Sequence, residues 1–420
     1  MDKNKLQKLN QIVNYCRINV PYYSQLLADF SFNTEYDFLR IPILTNEIYT
    51  ANTPPYNNNL LSKSRSSSFV FSSGGTSTEP RYVMRDFEDF DDQYMDYAGL
   101  NVGEKDVVLN LFMPGIWGIF TSANISLMKL GCTIIPLGGS NLNQENNRKI
   151  LEIIKTFNVN MLIGVPSTIV TLATFIQEKS NLANKIDKIF CLGEKIHQST
   201  QMIIKSIFSN AVIKSKYGCM ESAGIGYQCE YLDENRYHIF ENQYVEILDA
   251  ENYSKVQEGN EGIITVTTLK KRLVPLLRYK TNDIGIVTKD KCKCGQDKLL
   301  YVLRREQDML ISASVHFKID IIERIISKFK ECSSVFQLVV KKINNLDSII
   351  LYIEKSRENI DNPNCITHEI INQLFIQIED LQEAIESKKL QSFSVELIEP
   401  QTIKRINSTG KIKKILDFRK

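Results

Sequence analysis

Four short apolar runs, with helical spacing between them, restrict what this chain can fold into more than any other feature. Residues 106–112 (DVVLNLF), 132–137 (CTIIPL), 160–165 (NMLIGV) and 188–192 (KIFCL) are dominated by apolar side chains. Strands of that kind are buried on both faces. Residues 122–130 (SANISLMKL) and 144–157 (QENNRKILEIIKTF) lie between them and read as helices. Strands alternating with helices predict an α/β fold whose parallel sheet is covered on both sides. From about Gly226 the pattern changes. Residues 238–251 and 261–269 alternate apolar and polar positions between polar turns, which predicts a β-rich annex, either an antiparallel sheet or a small barrel. Past residues 304–310 (RREQDML) comes a Lys- and Glu-rich mixture of β and α patterns, expected to form a small α+β subdomain. The expected division is a large N-terminal unit over residues 1–305, with the annex from about 226, and a C-terminal subdomain over 306–420.

A chain of 420 residues is too long for one small core. A net charge of +2 offers no electrostatic reason to bind nucleic acid or an anionic membrane. No apolar run approaches the roughly 20 residues that cross a bilayer. Residues 1–13 lack the apolar core of a signal peptide. A cytoplasmic location is expected, in which the nine cysteines are buried thiols or metal ligands in preference to disulfides.

The phosphate-like stretch is residues 69–82 (FVFSSGGTSTEPRY), where a strand runs into Ser72, Ser73, Gly74, Gly75, Thr76 and Ser77. Glycines let the backbone approach a polyphosphate, and hydroxyls with N–H groups supply donors. A Ser/Gly-rich linker has the same composition. The ending Gly-Lys-Ser/Thr of a Walker loop is missing.

The order of this loop and of the motifs after it resembles the adenylate-forming superfamily of acyl-CoA synthetases and adenylation domains, in its phenylacetate-CoA ligase-like branch. The resemblance starts at residues 20–27 (VPYYSQLL) and 41–47 (IPILTNE) and ends at the Gly410-Lys411 loop. It implies that Gly193 and Glu194 form the turn beside adenine, that Tyr217 and Gly218 also contact the nucleotide, and that Glu221 ligates magnesium between phosphates. A carboxylate suits that hard cation. Residues 278–283 match the family's Arg-Tyr-x-Thr-x-Asp turn, in which the two oxygens of Asp283 accept from both ribose hydroxyls. Arg305 matches the arginine before the hinge and Asp308 the hinge itself, about which a mobile lid rotates between two half-reactions. Lys411, about 100 residues on, is a mobile cation able to bridge carboxylate and α-phosphate. Two positions depart from the pattern. Thr78 stands where the loop normally has glycine, and Met220 where a Ser or Thr contacts the α-phosphate.

A hairpin turn between Cys229 and His238 would bring those two close, and Cys292-x-Cys294 follows downstream. Together they form the Cys3His set typical of structural zinc, and some members of the branch carry a similar arrangement. Cys16, Cys132 and Cys332 lie in apolar patterns and read as core. None of His197, His316 and His368 is assigned to catalysis, and Trp117 reads as packing.

The function this implies is ATP-dependent activation of a carboxylic acid, with an aryl acid favoured, as its acyl-AMP. Pyrophosphate is released and the acyl group passes to a thiol, of CoA or of a carrier protein's phosphopantetheine. The cofactors implied are ATP, Mg²⁺ and a structural Zn²⁺; the partner is a small carboxylic acid, with a carrier protein and a homodimer left open. An adenylating amide ligase and a non-catalytic nucleotide-binding relative stay open as alternatives. Ser314, in Ala313-Ser314-Val315-His316, stands where the branch has a glycine beside the pantetheine arm, which weakens the case for CoA without removing it.

Overall fold

A computed structural model describes residues 3–32, 34–62, 67–72, 81–91, 97, 99–142, 146–176, 180–193, 196, 198–306, 308–356, 362–400, 402–404 and 412–419. The chain forms two compact units, one of residues 1–193 and 207–302, the other of residues 194–206 and 303–420.

In the first unit, a hairpin pairs β1 (Ser68–Ser72) with β2 (Tyr82–Asp86). The four apolar runs become β3 (Val107–Asn110), β4 (Thr133–Ile135), β5 (Met161–Gly164) and β6 (Lys188–Cys191). With the first half of β7 (Val212–Cys219), these pair in parallel. Every residue of β5 is buried, as a strand covered on both faces requires. The predicted helices appear as Ile119–Lys129 and Asn147–Thr156.

The antiparallel annex consists of β8 (Ala223–Tyr227), β9 (Arg236–Ile239), β10 (Gln243–Leu248), β11 (Gly262–Thr268), β12 (Tyr279–Thr288) and β13 (Leu299–Arg305). It is not a separate sheet. The parallel and antiparallel strands form a single eleven-stranded sheet in the order β10-β11-β12-β13-β9-β8-β7-β6-β5-β3-β4. A core of N-terminal helix residues such as Leu9, Ile12 and Tyr23 packs with Tyr217, Val266 and Tyr279 of these strands.

Near the N-terminal ends of β3, β5 and β6 the strands are tied by polar contacts. The Lys188 ammonium pairs with Asp106 at 2.6 Å, and Asn160 donates to Asp106 and accepts from the Val107 N–H, both at 2.8 Å. The opposite ends of the strands are left for loops, where α/β sheets bind ligands.

The second unit contains the hairpin of β14 (Met309–Ser312) and β15 (Val315–Lys318), followed by β16 (Cys332–Ile343), β17 (Leu346–Lys355), β18 (Leu390–Ile398) and β19 (Ile415–Phe418). The last four form a sheet in the order β18-β17-β16-β19. Helix Ile319–Ile326 buries Ile319, Ile322, Ile325 and Ile326, residues three or four apart on one face, into the core of this unit.

Candidate active site

Ser72 closes β1, is buried, and donates its N–H to the Ile116 carbonyl at 2.8 Å. It pairs with Tyr82, so residues 73–81 connect the two strands of the hairpin. Ser73, Gly74, Gly75, Thr76, Ser77 and Thr78 lie outside the described residues, as do Glu194, His197 and Lys411. Gly193 follows β6 at φ +93°, a conformation that favours glycine.

Tyr217 and Gly218 come at the end of β7, and Glu221 lies in the turn between β7 and β8. A Cβ on Gly218 would fall 2.2 Å from the Ala223 carbonyl oxygen, so no side chain fits there. The Tyr217 phenol donates to Asp283 Oδ2 at 2.7 Å. Asp283 donates its N–H to Thr281 Oγ1 at 3.1 Å, and the Thr281 hydroxyl donates to the Ile264 carbonyl at 2.8 Å. All three side chains are buried. Burial, with the Asp283 charge, raises the Tyr217 pKa well above the ordinary phenol value and keeps the hydroxyl a donor.

The Glu221 side chain is only 3% exposed and accepts from Arg81 Nε at 3.1 Å. Burial opposes the Arg81 charge, but Glu221, with Tyr279 and Cys219, together raise the guanidinium pKa. Tyr49 and Tyr279 pack edge-to-face at 5.6 Å, and burial followed by the Glu221 charge raises both phenols well above their usual value. The buried Glu221 carboxylate, paired here with Arg81, is a hard oxygen ligand suited to a divalent cation shared with phosphate.

Arg278, the first residue of the predicted ribose turn, has a different task. Its Nε and Nη2 donate to the two Glu246 oxygens at 3.2 and 3.0 Å, and Nη1 donates to the carbonyls of Leu39 and Ile41. It fastens the N-terminal segment to the sheet. Arg305 ends β13, and its carbonyl accepts from the Asp308 N–H at 3.0 Å. Ala313 and Ser314 link β14 to β15 at φ +51° and +67°.

The predicted metal ligands come together. Tyr227 pairs with His238 across the β8–β9 hairpin, which puts Cys229 near the ring, and β13 pairs with β9 to carry in the turn of Cys292 and Cys294. The ligand atoms of Cys229, His238, Cys292 and Cys294 all lie within 4.8 Å of one another. Cys294 Sγ is 3.1 Å from His238 Nε2, and the Cys229 and Cys292 sulfurs are 3.7 Å apart. Tetrahedral zinc with bonds of about 2.3 Å to sulfur spaces its thiolates by nearly that distance. His238 Nδ1 faces the Lys298 carbonyl at 3.4 Å, the arrangement that leaves Nε2 for a metal. Cys16, Cys132 and Cys332 are buried, as the sequence predicts.

Sequence reasoning passes over Arg81 and Arg85. Their signal is present: two arginines four residues apart, directly after the glycine-rich loop. Among the described residues no helix is long and apolar enough to cross a membrane.

Known proteins share this plan. The model of the AMP-binding enzyme family matches residues 34–269, more than half of the chain, and that of the AMP-binding enzyme C-terminal domain matches 320–419. Phenylacetate-coenzyme A ligase of Thermus thermophilus is 25% identical over 99% of this chain and 96% of its own length. The Escherichia coli enzyme of the same name is 26% identical over 72% of this chain and 68% of its own. A crystal structure of 2-hydroxyisobutyryl-CoA ligase with 2-HIB-AMP superposes with a TM-score of 0.80 at 18% identity, covering all of this chain and 90% of that one. At that identity the superposition speaks for the fold alone. The chain belongs to the AMP-binding enzyme family, the adenylate-forming superfamily, in its phenylacetate-CoA ligase-like branch.

Proposed function

We propose that the protein activates a carboxylic acid with ATP as acyl-AMP and transfers the acyl group to the thiol of CoA, an aryl acid being the favoured substrate. The observation that carries the reading is the buried Tyr217–Asp283 pair with buried Glu221 in the turn just past β7, within a chain of this family. In the first step a carboxylate oxygen attacks the α-phosphorus, the bond to the bridging oxygen breaks, and pyrophosphate leaves. In the second, the thiol sulfur attacks the acyl carbon, AMP leaves, and the thiol proton passes to solvent.

The roles follow from chemistry. Asp283 accepts from the ribose hydroxyls, and Tyr217 both holds that carboxylate and faces the adenine, with Gly193, Glu194 and Gly218 shaping the rest of the nucleotide site. Ser72, Ser73, Gly74, Gly75, Thr76 and Ser77 donate to the phosphates. Glu221 would hold Mg²⁺, which neutralises and aligns the phosphates when bound. Lys411 offsets charge developing between carboxylate and α-phosphate, and Asp308, with Arg305 before it, is the pivot on which the C-terminal unit exchanges the two steps. Cys229, His238, Cys292 and Cys294 would hold a structural Zn²⁺ that pins the β8–β9 hairpin to the turn before β13. A carrier protein as acyl acceptor, self-association, and the cytoplasm as the site of action belong to the same reading.

ATP–pyrophosphate exchange, screened across aryl, amino and fatty acids, tests adenylation and acid class together. Exchange with no acid of the panel would sink the reading. With the preferred acid, CoA and carrier proteins are then offered as acceptors; an amide with a small amine, and no thioester, would overturn the thiol assignment alone.

A further inference from the structure

Two arginines, one just before β2 and one within it, reach the same turn. Arg81 immediately precedes β2 and Arg85 is its fourth residue. Side chains alternate along a strand, so residues 81, 83 and 85 share a face, and Val83 between them is buried in the core that holds Tyr217. Arg81 bonds the Glu221 carboxylate. Arg85 donates from Nη2 to the carbonyl of Met220, the residue just before it. Arg85 is 7% exposed; burial, with the Arg272 charge nearby, lowers its pKa. A guanidinium is costly in such a position unless its donors are used, and this one uses a donor on the backbone beside Glu221.

The two contacts differ in kind. A cation on Glu221 competes with Arg81 for the same carboxylate. The bond from Arg85 goes to the main chain and is compatible with a loaded site. Glu221 directly follows Met220, so how the backbone at 220 is held bears on the direction of its carboxylate. We propose that Arg85 is a positioning residue for the metal carboxylate: by fixing the Met220 carbonyl it sets where Glu221 presents its oxygens to a divalent cation. The inference rests on the reading of Glu221 as the magnesium ligand.

The test uses the full chain with Mn²⁺ as the probe cation. ATP affinity is measured with and without Mn²⁺ for the parent, R85M, R85K and E221Q, each checked for folding by circular dichroism. The parent is expected to gain affinity from the metal. R85M should lose about tenfold of that gain, the size of one charge-assisted hydrogen bond, while its metal-free ATP affinity stays at the parental value. R85K, whose single ammonium meets the carbonyl at another angle, should fall between the two. A parental metal gain in R85M overturns the proposal, as does an equal loss with and without metal, which marks a merely structural residue. If R85M does not fold, R85K decides, and a parental gain there overturns it. E221Q separates the two claims: if it keeps the full metal gain, the magnesium reading of Glu221 fails, and the role of Arg85 with it.

Discussion

The Tyr217 phenol donates a 2.7 Å hydrogen bond to the Asp283 carboxylate, although β8, β9 and β13 stand between their strands in the sheet. The sheet therefore curls enough for β7 to reach β12. Both groups are buried. Removing the donor with Y217F leaves a buried carboxylate short of a partner, expected to cost about 1–3 kcal/mol of stability. Tyr23, Tyr49 and Tyr279 share the raised pKa, with burial as the first cause in each. Unfolded phenols titrate near 10. Above that pH the unfolded chain releases protons that the folded chain keeps, so stability is fully present below about pH 10 and falls as pH rises past it. Urea melts between pH 8 and 11 measure the decline, and Y217F should show a shallower one. A parental slope in Y217F would mean that this phenol ionises normally.

Lys411 is assigned through its Gly-Lys loop alone. K411A should lower the rate of pyrophosphate exchange by roughly 10²-fold or more, as loss of one preorganised donor to a transition state does, while ATP affinity changes little. Parental exchange in K411A would remove the lysine from the chemistry.

Protein purified without added metal should carry about one zinc per chain. The four ligands lie in segments far apart in sequence, so the ion acts as a cross-link on the folded state. Cys292 is also packed with Leu232 and Leu299. Hence C292S should lower Tm by roughly 5 °C or more, a larger effect than that of C294S at the exposed ligand. Well-folded protein without zinc would leave these residues as packing.

Arg278 and Glu246 form a buried two-pronged ion pair whose side chains are 5% and 1% exposed. R278A strands the Glu246 carboxylate and frees two backbone carbonyls near Leu39 and Ile41. A loss of about 3–5 kcal/mol in chemical denaturation is expected. A loss below 1 kcal/mol would show that the pair is not formed in solution.

Ala313 and Ser314 form a two-residue hairpin loop with both residues in the left-handed region, where Cβ is unfavourable. S314G should stabilise the chain by about 0.5–1 kcal/mol, a Tm rise of one or two degrees. The same change should lower the KM for CoA if the loop approaches the pantetheine arm. An unchanged Tm would mean that the turn relaxes without strain.

Much of this protein is legible in its residues because the signals involved are local. Apolar runs of five to seven residues between helical stretches fix which segments are buried strands and that the first of them run parallel, since a crossover helix allows little else. The donor types of Cys229, His238, Cys292 and Cys294 likewise stand in the chain itself, as does the Arg-Tyr-x-Thr-x-Asp motif, which the structure places at the start of strand β12 and not in a turn. The glycine-rich loop over 73–80 and the Gly410-Lys411 loop are read from sequence alone, lying outside the described residues. What only the tertiary structure decides is which of these segments meet. That β13 pairs with β9, and so carries Cys292 and Cys294 to His238, depends on strand order. That Arg278 serves Glu246 instead of a ligand, and that Arg81 and Arg85 converge on Met220–Glu221, depends on packing between residues 32 to 140 positions apart. Local patterning sets which face of a strand is buried; the partner across the sheet is chosen by long-range closure, summed over many weak contacts, and no spacing within a segment records it.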